Sequence, residues 1–573
     1  MKYMRTNYII MTIVSSMAFV SCNYLDFDET DGLKDKDDIY EYFNSTEQML
    51  THVYSYMPQD FGTIDNAMRD CASDDAIFGY SGGTVQRFND GSWSAIKTAD
   101  TAWKLYEGIR AANSFIQDVA NVDLSRYEHD GNYNKWMTKL KCFPYEAKVL
   151  RAHYFFELAR RYGDIAMPLI PLTIEEANTI GKTPFSEVID FIVQQCDEAV
   201  NANGLPENYN SALYDTQVGR VTKGFAMAVK SKALLYAASK LHNPTMNTEL
   251  WKKSAKAALD IINLNLYSLD GKEVANNLTS KEVVLFRVNN DNSKFELQNF
   301  PIRFTEGSRT TGLLSQCTYP TQNLVDAFQT TKGYTVTLGA DGWIYDENAD
   351  FDPQDPYNIS KRDPRFGRVI LANKMSFKES TIQIQEGGVD DVLVSQGGSP
   401  TGYFLRKYIQ ESTSFTPDHL VSNKHHWVIY RYAETLLTYA ESMANAFGDK
   451  GLDYTDDTYT KSARWAINEV RNNVKMPIIT TTNVEAFMKQ LQNEWRVEFA
   501  FEDHRFWDVR RWKIADTTQR DIYGVKIKER SGVQEFTKKL CEKRTWKNCM
   551  YLFPIPQEEL YINTNLNPQN PEW

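Results

Sequence analysis

PYEAKVLRAHYFFELARRYGD, residues 144–164, decides the fold class. Ala147, Leu150, Tyr154 and Leu158 fall three and four apart, and Phe155 and Tyr162 widen the apolar face, which is the spacing of a helix and not of a strand. Pro144 is placed to open this helix and Gly163 to close it. HWVIYRYAETLLTYAESMANAFG, residues 426–448, repeats the pattern with Tyr432, Leu436, Tyr439, Met443 and Phe447 on one stripe, ended by Gly448.

Working outward, helical runs recur in WKLYEGIRAANSFIQDV, PFSEVIDFIVQQCDEAV, GFAMAVKSKALLYAASKL, WKKSAKAALDIINL and NEWRVEFAFEDHRFWDVRRW. Small residues cluster inside two of them, Ala226, Ala228, Ala233, Ala237 and Ala238 in one and Ala255, Ala257 and Ala258 in the next. Small side chains let helices approach closely, as in tetratricopeptide-like hairpins. The chain therefore reads as mostly α, with a helical scaffold mainly over 100–266 and 425–515. Two stretches, 60–95 and 270–425, are instead rich in Gly, Pro, Asp, Asn and Thr, with short β strands expected at EVVLFRV and YTVTLGADGWIYD. Long loops on a rigid frame are where binding residues concentrate.

Residues 1–21 read as an export signal: Lys2 and Arg5 precede an apolar stretch from Tyr8 to Val20, which is shorter than the roughly 20 residues that span a bilayer. Cys22 follows the expected cut, and the acidic DFDETD begins four residues later, at Asp26. The net charge of −12 disfavours nucleic acid or an acidic membrane surface as partner, because both reward clustered Lys and Arg. The seven cysteines contain no CxxC pair, so zinc has little support; only Cys541 and Cys549 are close enough in sequence to suspect a disulfide.

Catalytic motifs are sparse. GYSGG at 79–83 has the G-x-S-x-G spacing of a hydrolase elbow, but SDDAIF before it and TVQRFNDGS after it supply neither the buried strand nor the helix that the mechanism needs. GKT at 181–183 lacks the first glycine of a phosphate loop, and Pro184 interrupts the helix that should follow. No HExxH is present, and Asp352 and Asp355 in FDPQDPYN suit a turn better than a calcium site. Neither metal nor cofactor is expected. Among 75 acids, nothing singles out the carboxylate pair of a glycosidase.

Six segments in order resemble the SusD/RagB family of outer-membrane nutrient-binding lipoproteins: SCNYLD, WKLYEGIRAANSFI, EAKVLRAHYFFELARRYGDIAMPL, YRYAETLLTYAE, EWRVEFAFEDHRFWDVRRW and FPIPQEELYINTNLNPQNPEW. The resemblance covers essentially the whole chain. It departs at Phe19, where lipobox sequences carry Leu. It implies a lipidated Cys22, a tether over 22–40, and a single body over 41–573 facing the cell exterior from the outer membrane. It further implies a non-catalytic protein that captures oligosaccharide and sits as a lid over a SusC-like TonB-dependent transporter. Peptide binding of the RagB type, an exported glycoside hydrolase or esterase, and a structural adhesin or protein scaffold are the alternatives.

A sugar site needs flat rings for the pyranose faces and polar groups for the hydroxyls, and apolar contact at about 25 cal/mol per Å² requires several contacts to converge. On that basis, and because family members place a stacking aromatic and an acid in this region, Trp93 with Asp75 is the first choice, with Asp65, Asn66 and Asp74 near it in sequence. The middle loops add Cys317, Tyr319, Trp343, Tyr345, Arg365, Arg368 and Tyr403.

Overall fold

The computed structural model describes residues 36–573 apart from 59–61, 101, 210–215, 272–273, 275–276, 310–315 and 396. The export signal and Cys22 lie outside the described residues. The end of the expected tether does not: Lys36–Tyr40 is a short helix, and Tyr40 packs on Phe115 at 6.4 Å between ring centroids, so the folded body starts before residue 41.

Ten helices form the frame: α1 (Phe43–Ser55), α2 (Leu105–Val119), α3 (Tyr133–Tyr162), α4 (Phe185–Asn201), α5 (Lys223–Ala238), α6 (Thr248–Ile262), α7 (Tyr432–Phe447), α8 (Ala463–Asn473), α9 (Val484–Glu498) and α10 (Arg505–Arg511). Packing follows chain order from α1 to α6; α6 then packs on α7, and α7 on α8 and α9. Small residues set the spacing. A Cβ on Gly108 would lie 2.8 Å from Tyr56 and 3.1 Å from Tyr154, so α2 reaches its neighbours only with glycine there. Ala226, Ala228, Ala233, Ala255 and Ala258 are likewise fully buried along α5 and α6. Side-chain caps start several helices: Thr222 accepts from the Phe225 N–H on α5, and Ser462 from the Trp465 N–H on α8.

Two expectations need correction. Pro144 does not open its helix: α3 begins at Tyr133 and carries Pro144 inside it. Proline sacrifices one backbone hydrogen bond there, but Phe143, Ala147 and Leu150 are fully buried on either side of it, and packing over both halves keeps the helix continuous. Likewise, 493–512 is not one helix. Phe501 and Asp503 adopt left-handed backbone at φ +61° and +59°, which separates α9 from α10.

Short strands stitch the loops to this frame: β1 (Thr63–Ile64), β2 (Ala67–Met68), β3 (Ala76–Phe78), β4 (Val283–Arg287), β5 (Thr318–Pro320), β6 (Trp427–Arg431), β7 (Asp521–Arg530) and β8 (Val533–Lys543). All pair antiparallel, β1 with β2, β3 with β5, β4 with β6 and β7 with β8. The β3–β5 pair joins the 60–95 stretch to the middle loops, and β6 runs directly into α7. Arginine ion pairs and hydrogen bonds close the fold over long sequence separations. Arg69 meets Asp503 at 2.6 Å, Arg505 holds Asp74 at 2.8 Å, and Arg544 donates to the Cys71 carbonyl at 3.0 Å. Cys541 and Cys549 are both free thiols, so the suspected disulfide is absent.

Candidate functional site

The β1–β2 hairpin turns through Asp65, whose φ of +54° is a left-handed conformation that Asp tolerates better than most residues. Asp65 and Asn66 are thereby lifted as exposed side chains onto one wall of a cleft of about 320 Å³. A second wall is 289–294, the run that follows β4. It is held open by its own amides: Asn289 Nδ2 donates to the His425 carbonyl at 2.8 Å, its backbone N–H donates to His426 Nδ1 at 3.1 Å, and Asn292 Oδ1 accepts from the Lys294 N–H at 3.1 Å. An antiparallel bridge between Asn292 and Asn423 ties this wall to the segment that leads into β6.

The floor is also fixed by amides. Asn299 donates to the Phe295 carbonyl at 3.0 Å and accepts from the Thr318 N–H at 3.1 Å, while Gln298 Nε2 donates to the Asn66 carbonyl and so clips floor to wall. His425 Nε2 sits 2.7 Å from Glu296 Oε1 beneath. Beside these groups, the side chains of Asp65, Asn290, Asp291 and Lys294 form no hydrogen bond or ion pair among the described residues, although Asp291 is near enough to His426 to favour its charged form. Two acceptor carboxylates, one amide and one ammonium therefore stand ready along two walls, which is equipment for reading hydroxyl groups.

Of the residues expected from sequence, the structure brings only Asp65 and Asn66 to this cleft. Trp93 is 2 % exposed, wedged edge-on against Phe88, Phe553 and Trp573 at 4.5–4.8 Å, and it offers no ring face to a ligand. Asp75 is fully buried beside Arg496 at 2.6 Å; burial, with Asp74 alongside, keeps its carboxyl above the usual range even so. Asp74 is paired with Arg505 and Arg496. Tyr319 and Cys317 are buried on and beside β5, with Cys317 Sγ below the floor at 3.8 Å from the Asn299 carbonyl. Tyr403 is buried too, its hydroxyl 2.5 Å from Gln322 Oε1 and 3.0 Å from the Tyr357 hydroxyl. Trp343 packs among Phe351, Tyr357 and Phe536; Tyr345 is half-exposed against Phe351, and neither lines the cleft.

Arg368 lines a different, narrow pocket of about 40 Å³, and donates to the Gly271 carbonyl at 3.1 Å. The groups around it are already engaged. Arg365 holds Asp363, Glu494 and Glu498 at 2.6–2.7 Å, and Arg431 holds Glu282, Glu498 and Glu502 at 2.6–2.8 Å. Burial alone would raise the Glu498 carboxyl, but the guanidiniums of Arg431 and Arg365 outweigh it and hold the group at about 2. A sugar hydroxyl has nothing to gain there. A third cleft, about 310 Å³, is mainly apolar, between Trp103 and Tyr106 on one side and Ile170, Ile562 and Leu566 on the other.

Sequence reasoning missed Asn289, Asn290, Asp291, Lys294 and Gln298. The signal was there in NNDNSK, six consecutive polar residues directly behind a strand.

A helical frame that projects a polar cleft from its loops defines a scaffolded ligand-binding class, and comparison with known proteins specifies it. The model of the SusD family matches residues 281–573, just over half of the chain, and the chain belongs to that family. A SusD-like protein from Bacteroides fragilis superposes with a TM-score of 0.74 at 24 % identity, over 94 % of this chain and 99 % of its own. A SusD-like carbohydrate-binding protein from the same species gives 0.70 at 23 % identity, over 92 % and 100 %. A laminarin-binding SusD-like protein gives 0.58 at 19 % identity, over 92 % and 99 %. At these identities the likeness establishes the fold. No curated protein matches the chain. No catalytic family is indicated, and no described helix is long and apolar enough to cross a membrane.

Proposed function

We propose that this protein captures oligosaccharide in the cleft between Asp65 and Asn289–Lys294 without transforming it, and delivers it to a TonB-dependent transporter over which it sits. The observation that carries the reading is the set of four unengaged polar side chains on two fixed walls. Family membership supports it, as do two structural relatives described as carbohydrate- and laminarin-binding. Hydroxyl recognition by Asp and Asn works because each carboxylate accepts two hydroxyl protons while each amide both donates and accepts. The anchoring that delivery requires is assigned to a lipidated Cys22 at the outer face of the outer membrane.

Retention on immobilised laminarin, amylopectin, inulin and mannan tests the capture step. Delayed migration with no new reducing ends supports it. New reducing ends favour the second reading, a glycosidase, for which Asp65 and Asp291 on one cleft would be the carboxylate pair. Retention that survives Asp65→Ala combined with Asp291→Ala removes the site assignment. Co-purification of a transporter barrel from outer membranes tests the delivery step.

A further inference from the structure

The charges in the cleft select among glycans. Asp65 stands on one wall and Asp291 on the other, both exposed and both without an ion-pair partner among the described residues. Among the described residues, Lys294 is the one Lys or Arg in the lining, and His425, the other ionisable lining group besides the two carboxylates, faces Glu296. The surrounding amides of Asn66, Asn290 and Gln298 carry no charge to shift this balance. A ligand in the cleft therefore meets two carboxylates and a single ammonium among the described residues.

From this we infer that the cleft takes neutral or amine-bearing saccharides and rejects uronate- and sulfate-bearing ones. The inference rests on the capture reading above and adds the ligand's charge class. Two like charges at about 4 Å repel by about 1 kcal/mol in water and by several times more at a partly desolvated surface, so one anionic group per bound sugar weakens binding about tenfold or more. The backbone that carries both carboxylates is held in place. Asp65 sits in a two-residue turn closed by β1–β2 pairing, and Asp291 lies between Asn289 and Asn292, whose amides are fixed.

Competition measures this at the cleft itself. That control matters because Lys526, Lys528 and Arg530 on the β7–β8 hairpin give polyanions another surface on which to be retained. The full-length protein is bound to whichever neutral polysaccharide of the panel retains it, and displaced with the soluble neutral polymer or its sulfated derivative. The sulfated form is expected to need about tenfold more material at low salt. The gap should narrow by 0.5 M salt, where screening shortens the reach of charge to a few ångströms. Asp65→Asn with Asp291→Asn keeps hydrogen-bonding side chains while removing both charges, and is expected to close the gap.

Equal displacement by neutral and sulfated polymer, from a protein whose retention the double Ala variant abolishes, overturns the charge inference and leaves the capture reading standing. Retention on no neutral polymer, or retention indifferent to the double Ala variant, overturns both. A gap that persists unchanged in the double Asn variant also overturns it, since steric bulk of the sulfate then explains the preference.

Discussion

The cleft at Asp65 and the pocket at Arg368 are built from similar side chains, yet they do opposite work. In the pocket, Arg365, Arg431, Lys407, Glu282, Glu498 and Glu502 neutralise one another at 2.6–2.9 Å and leave about 40 Å³. In the cleft, Asp65, Asn290, Asp291 and Lys294 are left unengaged around about 320 Å³. A charged residue near a cavity is thus no sign of a binding site; what matters is whether its hydrogen-bonding capacity is already spent. Satisfied ions fix a fold, and unsatisfied ones at a wet surface await a ligand.

Breaking the pocket should have the largest effect. Among the described residues, Arg431→Met leaves buried Glu282 without a cation and takes one of two cationic partners from each of Glu498 and Glu502, and uncompensated buried charge costs about 3–5 kcal/mol. Denaturant unfolding is expected to show a loss at the upper end of that range.

Trp93→Ala empties the aromatic cluster with Phe88, Phe553 and Trp573, and is expected to cost about 3 kcal/mol or slightly more. Glycan retention by the protein that remains folded should be unchanged. Lost retention at full stability would restore Trp93 to the binding site.

Acid should act on the frame in the same direction. Glu498 and Glu434 are each held at about 2, the latter because Lys232 and His504 outweigh the burial that would otherwise raise it. A depressed folded value means the stability is present above the unfolded value of 4.5 and is lost as pH falls through about 2. Thermal midpoints are expected to drop across that window, and a flat profile there would contradict the ion pairing.

The smallest effect on stability belongs to the cleft. Neither Asp65→Ala nor Asp291→Ala breaks a hydrogen bond or ion pair among the described residues; Asp291→Ala should shift unfolding by less than about 0.5 kcal/mol, and Asp65→Ala by about 1 kcal/mol, because alanine tolerates the left-handed backbone there less well than Asp. Together they are expected to reduce glycan retention about tenfold. A large loss of stability instead would move these two residues to the structural side of the comparison.

The helical frame was legible because its signal is local. A 3.6-residue period over twenty residues is visible without knowing what lies opposite, and α3 and α7 show it plainly. The breaks were less so: Phe501 and Asp503 turn left-handed inside a run whose apolar spacing looks continuous. For the site, the reading went wrong where partners are distant. Trp93 beside several acids looks the same whether its ring meets a sugar or Trp573, and Asp75 gives no hint of Arg496. Asp65 and Asn66 do line the cleft, since a turn residue's exposure is also local. NNDNSK carries no ring, and the reading looked for polar groups beside rings, so it was passed over.

The pairs that close the fold also set an order of events during synthesis. Asp74 waits for Arg505 and Arg69 for Asp503, separations of more than four hundred residues. At about 5–20 residues per second, that delay is roughly 20–90 seconds for each growing chain. Throughout it, Asp74 has neither Arg496 nor Arg505 and Arg69 has Asp100 alone, so the early part of this molecule emerges long before it can be finished.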